Sequence, residues 1–166
     1  TSKDAESYDE VVYEGYAPHG VALIVETATD NTTRTVANVR HIFSKYGGSL
    51  GTSGSVDYMF SRKGLFKVEK GELDLEELEL ELIDVGLEEL RVEDDLLVFQ
   101  CAFEDFGDLQ KGLEEQNLEV KESELVRIPS HHKQLTDEQT EEVITLIDKM
   151  EEDDDVTNVF HNMAED

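Results

Sequence analysis

One stretch of this chain gathers the residue types that bind phosphate. Arg34, Arg40, His41 and Lys45 share or border the solvent face of one expected helix, and Arg62, Lys63 and Lys67 follow within two dozen residues. Between the two groups runs a loop, Gly47–Ser55, that carries Gly47, Gly48, Thr52, Ser53 and Ser55. Guanidinium and ammonium groups, hydroxyls and free backbone N–H groups hold a nucleic-acid backbone without reading its sequence. The candidate nucleic-acid-binding residues are therefore Arg34, Arg40, Lys45, Gly47, Gly48, Thr52, Ser53, Ser55, Arg62 and Lys63. The competing reading is ordinary surface charge beside a tight structural loop, and composition by itself favours it.

Other chemistries find less support. There is no GxxxxGK[ST] phosphate loop, no GxSxG nucleophile elbow and no CxxC pair. His131-His132 is an adjacent pair in an expected linker, without the cysteines of a zinc site. The acidic run Glu151–Asp155 lacks the spaced D-x-D-x-D-G pattern of a calcium loop. Cys101 lies within the apolar run LLVFQCAF and reads as a buried, inert thiol. With no nucleophile–base pair to name, the sequence predicts a protein that is not an enzyme, with no catalytic residues, no metal and no cofactor.

The elements that would position the basic residues follow from periodicity. Val21–Ala28 is a β-branched apolar run between turns and predicts a buried strand. Asp30 or Asn31 can cap the helix after it. Val36, Val39, Ile42 and Phe43 form its apolar stripe, and Gly47-Gly48 stop it. Ser49–Ser55 reads as loop. Val56–Ser61 and Gly64–Glu69 read as a hairpin turning at Arg62-Lys63-Gly64. Downstream, Asp74 with Glu77 starts a helix striped by Leu75, Leu78, Leu82 and Val85, although LELEL also alternates like a strand. Strands at Leu87–Val92 and Leu96–Phe103 precede a helix at Asp105–Gln116 and a strand within Leu118–Ile128. A last helix is striped by Val143, Ile144, Ile147 and Met150. A strand at Val156–Phe160 ends the pattern.

This order predicts an α+β protein of two small mixed domains with mainly antiparallel sheets, the second inserted in the first. Residues 1–10 are expected to be a linker or frayed end. Residues 11–70 with 133–166 would form the discontinuous domain, and 71–132 an acidic inserted one.

Charge is spread unevenly along the chain. The 166 residues carry a net charge of −27. Residues 1–70 hold 8 basic and 9 acidic side chains, whereas 71–166 hold 6 and 32. The acidic part repels nucleic acid and anionic lipid. It is a solvated surface, or alternatively a protein–protein interaction module that docks a basic partner. No apolar run approaches the roughly 20 residues that span a bilayer. The opening TSKDAESYDE is polar and acidic and does not read as a signal peptide, and a single Cys suits a reducing compartment.

Tyr13-Glu14-Gly15-Tyr16, Thr29-Asp30-Asn31, Arg34-Thr35-Val36, Gly47-Gly48 and Leu50–Val56 complete a signature, YEGYxPxGVAxIVExxTDNxxRTVxxVRxxFxKxGGxLGTSGSVxYxF. It resembles the YebC/PmpR family, which includes the mitochondrial translational activator of cytochrome oxidase subunit one. The resemblance implies three domains: a basic helical N-terminal one, absent from this sequence, then an α+β domain interrupted by a third. It implies a non-enzymatic regulator of gene expression, either a DNA-binding transcriptional regulator or a ribosome-associated translation factor that relieves stalling. The implied partners are DNA or ribosomal RNA and the ribosome, bound more weakly without the N-terminal domain, and no membrane. The implied location is the cytoplasm, or the mitochondrial matrix for an organellar homologue. Where the family writes GPGG, this chain has Ala17-Pro18-His19-Gly20.

Overall fold

The computed structural model describes residues 7–165 and contains two four-stranded sheets with four α-helices, an α+β architecture. The chain forms two compact units. One is built from residues up to Ser61 together with those from Pro129 onward, and the other from Arg62–Ile128. Residues 62–70 and 129–132 thus fall on the opposite side of the boundary from the one expected. Part of the expected 1–10 linker is structured, because Asp9 and Glu10 begin a strand; residues 1–6 lie outside the described residues.

In the first unit, β1 (Asp9–Tyr16) and β2 (Ala22–Thr29) pair antiparallel with Tyr13 opposite Val25. The turn between them places His19 in the left-handed region, φ 66°, where the family resemblance expects glycine. β2 is apolar from Ala22 to Val25 because both its faces are covered there. Leu23 and Val25 point to one side, where they meet Val39 and Phe43 of α1 (Thr32–Lys45) and Val143, Leu146 and Met150 of α4 (Asp137–Glu151). Ala22 and Ile24 point to the other side, against Val56, Met59 and Phe60. β3 (Ser49–Leu50) pairs with the end of β1, and β8 (Val156–His161) pairs antiparallel with β2. The sheet order is β3-β1-β2-β8.

Ser49–Ser55 is therefore not all loop. Gly15 permits the short β3 pairing, since a Cβ there would lie 2.5 Å from the Ser49 carbonyl oxygen and 2.9 Å from the Phe43 ring. On α4 the expected stripe shifts by one arc. Leu146 is buried, whereas Ile144 is 38% exposed.

In the second unit the sheet order is β5-β6-β4-β7, from β4 (Phe60–Glu69), β5 (Leu87–Glu93), β6 (Leu96–Ala102) and β7 (Val120–Pro129). The expected hairpin turn at Arg62-Lys63-Gly64 is absent; these residues continue β4, with Lys63 opposite Ala102. A Gly after two charged residues is a turn signal only when no neighbouring strand claims the segment, and β6 claims this one. α2 (Leu75–Leu82) resolves the ambiguous LELEL as helix. Asp74 accepts from the N–H groups of Glu76 and Glu77, and Gly86 at φ 103° ends the following single turn. Leu78 and Leu82 join Leu109 and Leu113 of α3 (Phe106–Glu115) over Phe66, Leu97 and Phe99 of the sheet.

Candidate nucleic-acid interface

α1 is held at its start by Asn31, whose side chain accepts from the Arg34 N–H at 3.1 Å. Its inner arc is Thr35, Val39 and Phe43, all buried, which turns Arg40, His41 and Lys45 outward to solvent. Arg40 and Lys45 form no ion pair among the described residues. The Lys45 ammonium lies 5.6 Å from the centre of the Tyr46 ring at the helix end.

Arg34 belongs elsewhere. Its guanidinium donates from Nε and from one terminal nitrogen to Asp155, at 3.2 and 3.0 Å, and to Asp30 at 3.0 Å. Those hydrogen bonds, Asp155 first, raise its pKa further. Asp155 is 5% exposed and also accepts from the Thr35 hydroxyl at 2.8 Å, which in turn lies 2.7 Å from the Thr29 hydroxyl. The Asp155 carbonyl accepts from the Ala28 N–H of β2 at 2.9 Å. Arg34 is thus an internal clamp that ties the start of α1 to the turn before β8.

The loop has a similar outcome. Glu14, 7% exposed, points its carboxylate into it and accepts from the N–H groups of Gly54 (2.7 Å), Val56 (3.0 Å) and Asp57 (2.7 Å). The Gly51 N–H donates to the Glu14 carbonyl, the Gly48 N–H to the Phe43 carbonyl, and the Ser55 N–H to the Thr52 carbonyl. A ring of N–H groups around an anion is the expected phosphate geometry, but here the protein's own carboxylate fills it. The Ser55 hydroxyl is buried without a partner. Gly47 takes φ 85° to end α1. Thr52 and Ser53 keep exposed side chains.

Arg62 and Lys63 sit in the second unit. The Arg62 guanidinium stacks 3.8 Å from the Phe103 ring centre, and Lys63 bridges Glu88 at 2.9 Å. Of the ten candidates, the structure leaves Arg40, Lys45, Thr52 and Ser53 presented to solvent by one unit. His131 and His132 are exposed, and no group of three potential metal ligands occurs among the described residues. Cys101 lies in the second core, where burial pushes its thiol to about 11.

Sequence reasoning missed Glu14 and Asp155. An acid set between Val11-Val12-Tyr13 and Gly15-Tyr16 was a readable signal for the first. Asp155 ends an acidic run, Glu151–Asp155, and nothing local separates it from its neighbours.

Residues 8–163 match the family model described as the TACO1/YebC second and third domain. The chain belongs to the TACO1/YebC family. Among its relatives, a protein of Porphyromonas gingivalis named "Probable transcriptional regulatory protein" is 53% identical over 99% of this chain and 69% of its own length. One of the same name from Parabacteroides distasonis is 55% identical, over 99% and 68%. The crystal structure of a conserved hypothetical protein from Aquifex aeolicus superposes with a TM-score of 0.81 at 36% identity, covering 98% of this chain and 68% of that one. This TACO1/YebC chain thus spans roughly two thirds of each. No helix among its described residues is long and apolar enough to cross a membrane.

Proposed function

We propose that this chain is the nucleic-acid-facing part of a non-enzymatic, YebC-type regulator of gene expression. Its contact is with phosphate, through Arg40 and Lys45 of α1, with the Thr52 and Ser53 hydroxyls as neutral donors. The observation that supports this reading is the pair of cations exposed and without ion-pair partners on α1, in a chain whose net charge is −27. Relatives carry the name "Probable transcriptional regulatory protein", which agrees with a gene-regulatory role. Phosphate contact without base readout serves duplex DNA and ribosomal RNA alike, so a transcriptional regulator and a ribosome-associated translation factor share this face.

Arg34 and Lys63 are already paired with carboxylates, and Arg62 stacks on Phe103 in the second unit, so the contact is assigned to α1. Arg40→Glu with Lys45→Glu is expected to weaken binding of a duplex DNA or a ribosomal RNA fragment about 10-fold or more at low salt, and to flatten the dependence of affinity on salt. Fluorescence anisotropy at several salt concentrations measures both. Unchanged affinity in the double variant overturns this assignment. Ribosome profiling with and without the protein then separates the targets: site-specific pausing on its loss points to translation, and altered transcript levels without pausing point to transcription.

A further inference from the structure

The apolar stripe expected on α4 is only half used by the core. Val143 and Met150 are buried, but Ile144 is 38% exposed and Ile147 is half-buried. Both line a groove of about 350 Å³ within the first unit, between α4 and the segment after β8. Leu135 and the buried Met163 complete its apolar lining. His161 contributes to the wall; burial lowers its pKa, so the imidazole is neutral at physiological pH.

Charge around this groove has one sign. Asp137, Asp148 and Glu165 border it, and none of the three pairs with a Lys or Arg among the described residues; Glu165 approaches His161 at 3.7 Å. The bordering carboxylates remain hydrated, and the apolar floor is open to a side chain from outside. A cationic group arriving at the rim gains Coulomb energy, while a large apolar side chain gains the burial that Ile144 lacks.

We infer that this groove docks a basic amphipathic protein segment, with an apolar anchor seated against Ile144, Ile147 and Met163 and Lys or Arg side chains over Asp137, Asp148 and Glu165. The apolar anchor supplies most of the affinity and the rim charges supply orientation and on-rate. This inference is independent of the phosphate contact on α1.

The test uses the full chain and a short amidated helical peptide of leucines at i, i+3, i+4 and i+7 with lysines between them. A control peptide replaces the leucines with serine at the same charge. Methyl NMR is expected to show the leucine peptide shifting Ile144, Ile147 and Met163. Calorimetry is expected to show affinity about 10-fold lower for the serine peptide and for Ile144→Ser. Because Ile144 is exposed, that variant keeps its fold. Asp137→Asn with Asp148→Asn is expected to reduce the salt dependence of peptide binding. Equal binding of both peptides overturns the inference, since diffuse attraction to an acidic protein then suffices. Unshifted methyls overturn it as well, as does a short RNA that shifts the same methyls. So does a dimer, seen by sedimentation, that Ile144→Ser abolishes.

Discussion

The two units solve the same problem, fastening helices to a four-stranded antiparallel sheet, by different means. The second does so with apolar side chains: α2 and α3 lay leucines on Phe66, Leu97 and Phe99, and its acidic residues face water. The first adds two buried carboxylates. Asp155 joins Arg34 and Thr35 of α1, while Glu14 gathers the N–H groups of a loop. The difference explains what the family signature encodes. Glu14, Thr29, Asn31, Arg34, Thr35, Gly48, Gly51 and Gly54 are all occupied inside the first unit. The signature is mainly an architectural code, and the exposed contact face is a small remainder of it.

This contrast can be broken at its strongest point first. Phe99→Ala in the second core is expected to cost about 4 kcal/mol, because it leaves a large cavity under two helices. Urea unfolding measures it, and a loss below about 1 kcal/mol would mean that this core is not what holds the unit. Asp155→Ala is expected to cost about 3 kcal/mol. It removes a buried carboxylate and with it the charged hydrogen bonds from the Arg34 guanidinium and the bond from the Thr35 hydroxyl. By contrast, Glu81→Ala, an exposed acid of the second unit, is expected to stay within about 0.5 kcal/mol. If the two acid deletions cost the same, the distinction between buried and solvated carboxylates fails.

Glu14→Gln sharpens the comparison further. An amide in the same space keeps one acceptor but turns N–H donors toward donors, at about 2 kcal/mol. Exchange of the Gly54, Val56 and Asp57 amide hydrogens should accelerate in that variant, and unchanged protection would place the loop's order elsewhere.

The smallest effect concerns His161. Burial holds its folded pKa below the ordinary 6.5, with Glu165 opposing. The neutral form is therefore favoured by folding, and this contribution is complete above about pH 6.5. It is lost as pH falls toward the lower folded value, because the unfolded chain takes up the proton first. The stability of the parent chain relative to His161→Gln is expected to drop between pH 7.5 and 5.5, by urea titration at each pH. A difference that is flat or rises on acidification would show that His161 gains a partner when charged.

Much of the fold was legible. Caps at Asn31 and Asp74 and stripes at Val39, Phe43, Leu78 and Leu82 are local, and the structure keeps them. The candidate site was less so. Arg34 occupies the outer arc of α1 as a solvated cation would, yet its acceptor is 121 residues away in sequence. Arg62-Lys63-Gly64 has turn composition, yet pairing with β6 keeps it extended.

What the sequence determined alone was the period of most helices and strands, the first caps, the uneven charge and the family signature, since these depend on neighbours within a few residues. Tertiary structure decided which charges remain free. A guanidinium or a ring of N–H groups reads identically in sequence whether a buried carboxylate or a phosphate satisfies it. Only the folded chain shows that Asp155 and Glu14 already do so, leaving Arg40 and Lys45 to face outward.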